Sequence, residues 1–242
     1  MLVGEYGIGM CSNSLQLGCD CLGHIQYING NLTDSKGSTF TIPNAICVHE
    51  EDYGILWKHT DRRFPDKTEV RRSRRLVVSS IATVENYEYG YFWYFYQDGN
   101  IEFEVKLTGS LSLGVFPQSE GLSEKPKYGT MVKPLLYAPV HQHFFNVRID
   151  WALDGLLNSV QRVDVVSDDK LDGDGDGESN PYENAFYAEA VTLKTEKQAR
   201  ANMALEKMRT WKVINTKVKN HVGDYVGYKL LPGLRYDTPH TI

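Results

Sequence analysis

Two patterns in this 242-residue chain place side chains capable of chemistry at spacings that suit it. One is His141-Gln142-His143, at the head of an alternating run that ends at Asp150. On a strand, side chains repeat every two residues, so His141, His143, Phe145, Val147 and Ile149 share one face, and Gln142, Phe144, Asn146, Arg148 and Asp150 share the other. Two imidazoles then emerge side by side, about 7 Å apart at their backbones, and can converge on a single metal ion. Imidazole nitrogen suits copper, zinc, nickel or iron. A pair of ordinary core or edge histidines satisfies the same spacing, so the pattern alone leaves both readings open. The other pattern is Asn86-Tyr87-Glu88-Tyr89, just ahead of a dense aromatic run. By composition Tyr87 reads as a core tyrosine with its hydroxyl hydrogen-bonded.

Two further stretches mimic functional motifs. Asp172-Gly173-Asp174-Gly175-Asp176-Gly177 with Glu183 fits the calcium-loop formula of an EF-hand. The loop formula needs flanking helices and usually an apolar residue at its eighth position, yet Ser179 stands there and Pro181 at the tenth. A solvated acidic loop is the better reading of Asp172–Glu183. Arg71-Arg72-Ser73-Arg74-Arg75 resembles a nucleic-acid or localisation patch, but it reads as a charged turn leading into a strand at Leu76.

These groups must be positioned by β-structure. The run Leu76–Ile81 is β-branched and Tyr89–Gln97 is densely aromatic. Asp98-Gly99 then predicts a tight type I′ hairpin turn. Ile101, Phe103, Val105 and Leu107 alternate with Glu102, Glu104 and Lys106, as in an antiparallel strand with one apolar face. A shorter strand is expected over Gly109–Phe116, loops over Gln118–Lys133 and Asp164–Pro181, and one helix over Thr195–Arg209. The fold class is therefore all-β, an antiparallel β-sandwich with long loops.

Composition agrees with a packed protein: 41% hydrophobic and 24% charged residues, which argues against wholesale disorder. A net charge of −5 disfavours a general nucleic-acid binder. No apolar run is long enough to span a membrane, and no signal peptide is visible at Met1–Gly9. Cys11, Cys19, Cys21 and Cys47 form no Cys-x-x-Cys pair, so a zinc ribbon is a poor fit. A bridge to Cys47 and four buried thiols both remain compatible with the spacing.

The stretch Thr83-Val84-Glu85-Asn86-Tyr87-Glu88-Tyr89, followed by Trp93-Tyr94-Phe95-Tyr96-Gln97-Asp98-Gly99, resembles the signature of the topaquinone-dependent copper amine oxidases. His141 and His143 follow Tyr87 by 54 and 56 residues, as a His-x-His copper pair does in that family. Gly4-Glu5-Tyr6-Gly7, Leu17–Cys21, Cys47–Asp52, Leu107-Thr108-Gly109, Arg148-Ile149-Asp150 and Asn184–Tyr187 resemble family segments in the same order. The similarity covers nearly the whole chain and is read as strongest toward the fungal and yeast branch. Residues 1–242 thus read as part of the catalytic domain, lacking its N-terminal edge and C-terminal portion.

The resemblance implies a primary-amine oxidase. Tyr87 would be the residue oxidised to topaquinone, Asn86 would orient the quinone, and His141 and His143 would bind copper(II), facing the interior beside Tyr87 around one cavity. The quinone would condense with a primary amine, a carboxylate would remove the α-proton, hydrolysis would release an aldehyde, and molecular oxygen would restore the quinone with formation of hydrogen peroxide and ammonia. The family is homodimeric, and its fungal members point to the cytoplasm or peroxisome. Cys21 would bridge Cys47, leaving Cys11 and Cys19 free. Three positions depart from the pattern. Leu2 stands where the family has its catalytic aspartate. None of His24, His49, His59, His221 and His240 matches the third copper ligand. A second, structural divalent cation would start at Asp150, but Ala152 replaces its usual second carboxylate. The competing expectation is therefore an inactive paralogue or fragment that keeps the β-fold and part of a copper site.

Overall fold

The computed structural model describes residues 7–64, 66–116, 125–168, 184–231 and 233. Leu2, His240 and the acidic loop Asp172–Glu183 lie outside the described residues. The protein is all-β and antiparallel, and it divides into two compact units, Met1–His143 and Phe144–Ile242.

In the first unit, β1 (Gln26–Thr33), β2 (Thr39–Thr60), β3 (Thr68–Val84), β4 (Tyr87–Tyr96) and β5 (Ile101–Gly109) form a five-stranded meander in sequence order. A small sheet of β6 (Gly114–Val115), β7 (Gly129–Lys133) and β8 (Leu136–Pro139) is ordered β6-β8-β7. The expected pairing of the aromatic run with the alternating run is present, with Phe95 opposite Ile101 and Tyr89 opposite Leu107. The turn between them is not type I′. Only Gly99 has positive φ, 86°, and its N–H donates to Tyr96 O while the N–H of Tyr96 donates to Asn100 O. That is a three-residue loop with a glycine bulge, so Asp98 stays in ordinary conformational space.

The arginine run is no turn. Arg71–Arg75 lies inside β3, and the acids it pairs with lie mostly on the neighbouring strand. Arg72 pairs with Asp52, Arg74 with Glu50 at 2.8 Å, Arg75 with Glu51 at 2.7 Å, and Arg71 with Glu69 at 3.0 Å. Cross-strand neutralisation explains why the run is no free cationic patch.

One face of the meander carries a buried thiol cluster and a polar network. Cys47 is fully buried in a cluster with Leu15 and Cys21. Burial, reinforced by a hydrogen bond with Cys21, pushes the Cys47 thiol up to about 12. All four cysteines are free thiols, so the expected Cys21–Cys47 bridge is not formed; the two residues meet instead as buried neighbours in one cluster. From Cys47 a polar chain runs along the sheet: Sγ to His49 Nδ1 at 3.4 Å, His49 Nε2 to Glu51 at 3.1 Å, then Glu51 to Arg75, which also donates to Tyr96 Oη at 3.2 Å. Burial opposes ionisation of Glu51, but the hydrogen bonds from Arg75 and His49 outweigh it and hold the carboxyl below its usual range. Glu104 and Glu102 accept from Tyr94 and Tyr96 on this same face. Hence the acidic side of β5 is engaged, while on its apolar side Phe103 packs against Trp93 and the end residues Ile101 and Leu107 are 51% and 54% exposed.

The second unit orders its strands β10-β9-β11-β12, with β9 Asn158–Ser167, β10 Phe186–Leu193, β11 Thr210–Lys219 and β12 Tyr225–Leu230. The expected loop over Asp164–Pro181 therefore begins later, because Asp164 is within β9. The long helix expected over Thr195–Arg209 reduces to one turn, α1 (Glu196–Ala199), and a 3-10 turn at Leu205–Lys207. Thr195 caps α1 by accepting from Gln198 N, but α1 buries no residue, and short helices without a packed face are marginal. The end of the segment is held by charge: Arg209 donates bidentately to Asp164 at 2.7 and 2.9 Å, and Asp164 is only 6% exposed. The Arg209 guanidinium holds the Asp164 carboxyl below the usual carboxylate range.

Removing one partner of this pair strands the other. Arg209→Leu should destabilise the second unit by about 3 kcal/mol. Because the folded pKa of Asp164 is depressed, its contribution is complete above the unfolded value of about 3.9 and is lost as pH falls through the folded value. Chemical denaturation should show a wild-type stability loss below about pH 4 that is shallower in Asp164→Asn; parallel pH profiles would contradict the assignment.

Candidate functional site

The position of Tyr87 is set by the turn that precedes it. Val84 pairs with Tyr87, leaving Glu85 and Asn86 as a two-residue connection, and Glu85 takes φ 54°. A non-glycine residue there is uncommon and costs backbone strain. The far side of the turn is clasped by the end of β5: Ser110 N–H donates to Asn86 O at 2.7 Å, and Tyr87 pairs with Gly109. Gly109 has φ 106°, and a Cβ there would stand 2.4 Å from Asn86 O. Only glycine allows this approach. The Tyr87 hydroxyl accepts from Ser112 N–H at 3.3 Å.

Beside this turn stand the two histidines. The Tyr87 ring centroid is 5.5 Å from that of His141 and 5.4 Å from that of His143, and the imidazoles are 4.9 Å from each other. His141 Nδ1 lies 3.0 Å from Pro139 O. His143 Nδ1 lies 3.0 Å from the hydroxyl of Tyr89, which shares the sheet face of Tyr87. Burial, with a smaller effect of the neighbouring Tyr87, raises the Tyr89 hydroxyl above its ordinary value. A cavity of about 250 Å³ opens here, lined by Tyr87, Tyr89, Leu107, Leu111, Ser110 and His143 among others.

The structure thus brings Tyr87, His141 and His143 together, but not in the expected setting. Both histidines are exposed rather than turned inward, and His141–Asp150 is not a strand. Its alternation is real, but no described strand pairs with it, and extended chain without a ladder partner is not sheet. Asn86 is also exposed; its backbone carbonyl is engaged at the turn. Asp150 is exposed, and among the described residues no group of three or more His, Cys, Asp or Glu converges to hold a metal. Sequence reasoning missed Tyr89, Gly109 and the brace formed by Thr83, Glu88 and Asn13, in which Thr83 Oγ1 lies 2.8 Å from Glu88 Oε2 and 3.0 Å from Asn13 Oδ1. Period-two alternation from Tyr87 was the available signal for Tyr89.

Comparison with known proteins gives the family. The family model for the copper amine oxidase enzyme domain matches residues 2–240, and the chain belongs to that family. It is 48% identical over 234 residues to the peroxisomal copper-containing diamine oxidase 1 of Nicotiana tabacum, covering 95% of this chain and 28% of that protein. Identity to the primary amine oxidase of Arthrobacter sp. strain P1 is 49% over 231 residues, covering 95% and 33%. The crystal structure of a copper-containing benzylamine oxidase from Hansenula polymorpha superposes with a TM-score of 0.84 at 36% identity, covering 95% and 35%. A yeast relative matches as well: the peroxisomal primary amine oxidase of Pichia angusta is 42% identical over 231 residues, covering 95% of this chain and 32% of that protein. The chain spans about a third of the length of the relatives it matches.

The close approach at Gly109 yields a direct test. Gly109→Ala should cost about 1–3 kcal/mol, because the added methyl strains φ and displaces the Asn86–Tyr87 backbone. An unchanged denaturation midpoint would show that the clasp is not tight.

Proposed function

We propose that this chain carries the copper-binding and quinone-forming corner of a primary-amine oxidase, which converts primary amines and molecular oxygen to aldehyde, ammonia and hydrogen peroxide. One observation carries the reading: a single tyrosine ring lies about 5.5 Å from each of two imidazoles, in a chain of this family. The donor set fits copper. A carbonyl can only accept, so His141 Nδ1 carries the proton that bonds Pro139 O, and Nε2 keeps its lone pair. A metal-binding histidine commonly donates its other nitrogen in this way.

His141 and His143 would hold the copper, which would supply the redox chemistry for oxidising the Tyr87 ring to topaquinone, the group that would serve as electron sink for the amine. The chain's own residues do the positioning. Gly109 and Ser110 fix the turn, Ser112 N–H holds the Tyr87 oxygen, and Asn86 limits how the ring can swing. Leu107 and Leu111 line the cavity beside the ring and offer the carbon end of a small amine an apolar surface. Leu2 at the position of the catalytic aspartate leaves α-proton removal without that base, typically worth about 10²–10⁴-fold. That residue favours the second reading, a catalytically inactive relative that retains two-histidine metal affinity. We also propose that both compact units belong to one enzyme domain, that the whole protein is a homodimer, and that it resides in the peroxisome, as the name of the tobacco relative indicates for that protein.

The test is a Cu(II) titration of the purified chain followed by electron paramagnetic resonance. Nitrogen hyperfine structure from imidazole should appear in the wild type and weaken in His141→Ala and in His143→Ala. With two imidazoles, affinity should be modest, and peroxide release with a simple primary amine should stay at background. Copper binding indifferent to both histidine variants would falsify the metal site. Robust peroxide release abolished by Tyr87→Phe would instead show that the site is catalytically complete.

A further inference from the structure

The contact between Tyr89 and His143 assigns a role to a residue outside the metal-and-quinone group itself. Building on the copper reading above, we propose that Tyr89 is a positioning residue: its hydroxyl accepts the Nδ1–H of His143 and thereby presents Nε2, with its lone pair, to the metal.

The argument starts from tautomers. A neutral imidazole protonates one nitrogen, and only the other can ligate a metal. Pro139 O settles the choice at His141, because a carbonyl cannot donate. Among the described residues no carbonyl or carboxylate hydrogen-bonds His143; its Nδ1 faces a phenol at 3.0 Å. A phenol either donates or accepts, so the tautomer of His143 depends on what Tyr89 does. The surroundings bind Tyr89 tightly. It is 6% exposed, sits two residues from Tyr87 in β4, pairs with Ala82 on one side and Leu107 on the other, and meets the imidazole edge-on with centroids 5.7 Å apart. His143 by contrast lies in chain that has no ladder partner. The rigid strand therefore holds the loosely held ligand, and the link from one to the other is this hydrogen bond. With Nδ1 engaged on both rings, one by Pro139 and one by Tyr89, the pair is left with two equivalent Nε2 donors. Matched donors of that kind let two imidazoles 4.9 Å apart share one ion.

Two measurements on the intact chain decide this. Long-range ¹H–¹⁵N correlation spectra of the metal-free protein report the tautomer of His143 directly. The expected result is Nδ1–H in the wild type and a mixture of tautomers in Tyr89→Phe, with His141 unchanged. Cu(II) affinity in Tyr89→Phe should then fall about 10–100-fold, the usual range for loss of a ligand's hydrogen-bond partner. An Nε2–H tautomer in the wild type would overturn the proposal without any variant. So would a Tyr89→Phe protein whose His143 tautomer and copper affinity both match the wild type. Absence of imidazole-bound copper in the wild type sinks the functional reading instead, and the metal-free spectra still decide the role of Tyr89.

Discussion

Register in the β3–β4 hairpin depends on how closely the end of β5 can approach the Asn86–Tyr87 backbone. Side chains on a strand alternate, so a slip of one residue would carry Tyr87 to the opposite face of the sheet, away from both histidines. The pairing of Tyr87 with Gly109, and the missing Cβ at Gly109, resist that slip at the point where it matters. Aromatic contacts further along act in the same sense: Trp93 packs on Phe103 with centroids 4.6 Å apart. Strain at Glu85 is tolerated because the strands on either side over-determine the turn.

The two faces of the meander divide the work. One carries the thiol cluster and the polar chain from Cys47 through His49, Glu51 and Arg75 to the tyrosines of β4. Arg75 also lies over the Tyr94 ring at 3.9 Å and the Tyr53 ring at 4.4 Å, so its charge is held among aromatic faces and a carboxylate. Every member of that network narrows the freedom of β3 and β4. The other face presents Tyr87 and Tyr89 to the cavity. Rigidity on the first face thus becomes positional accuracy for Tyr87 and Tyr89 on the second.

Much of this was legible in the residues. Alternation in Ile101–Leu107 and the glycine at 99 fixed the β4–β5 hairpin, and the Asn86-Tyr87-Glu88-Tyr89 stretch with His141 and His143 named the family. What failed did so for tertiary reasons. The helix expected over Thr195–Arg209 had suitable residues but no apolar stripe to bury, and Arg209 was committed to Asp164 in another strand. The run His141–Asp150 alternates as a strand should, yet alternation describes one strand and a ladder needs two. The arginines of β3 read as a charged turn because the acids that neutralise them within the sheet are mostly twenty or more residues away. Gly109 was hidden for the same reason: the atom that excludes a side chain there belongs to Asn86.

The central claim is spatial, that one metal ion is shared by His141 and His143 against the ring of Tyr87. It is tested most directly by crystals of the Cu(II)-loaded chain measured at the copper absorption edge. The account predicts a single anomalous peak about 2 Å from Nε2 of both histidines, on the side of the imidazoles that faces Tyr87. A peak bound through Nδ1, a peak on only one imidazole, or copper held elsewhere on the chain would contradict it.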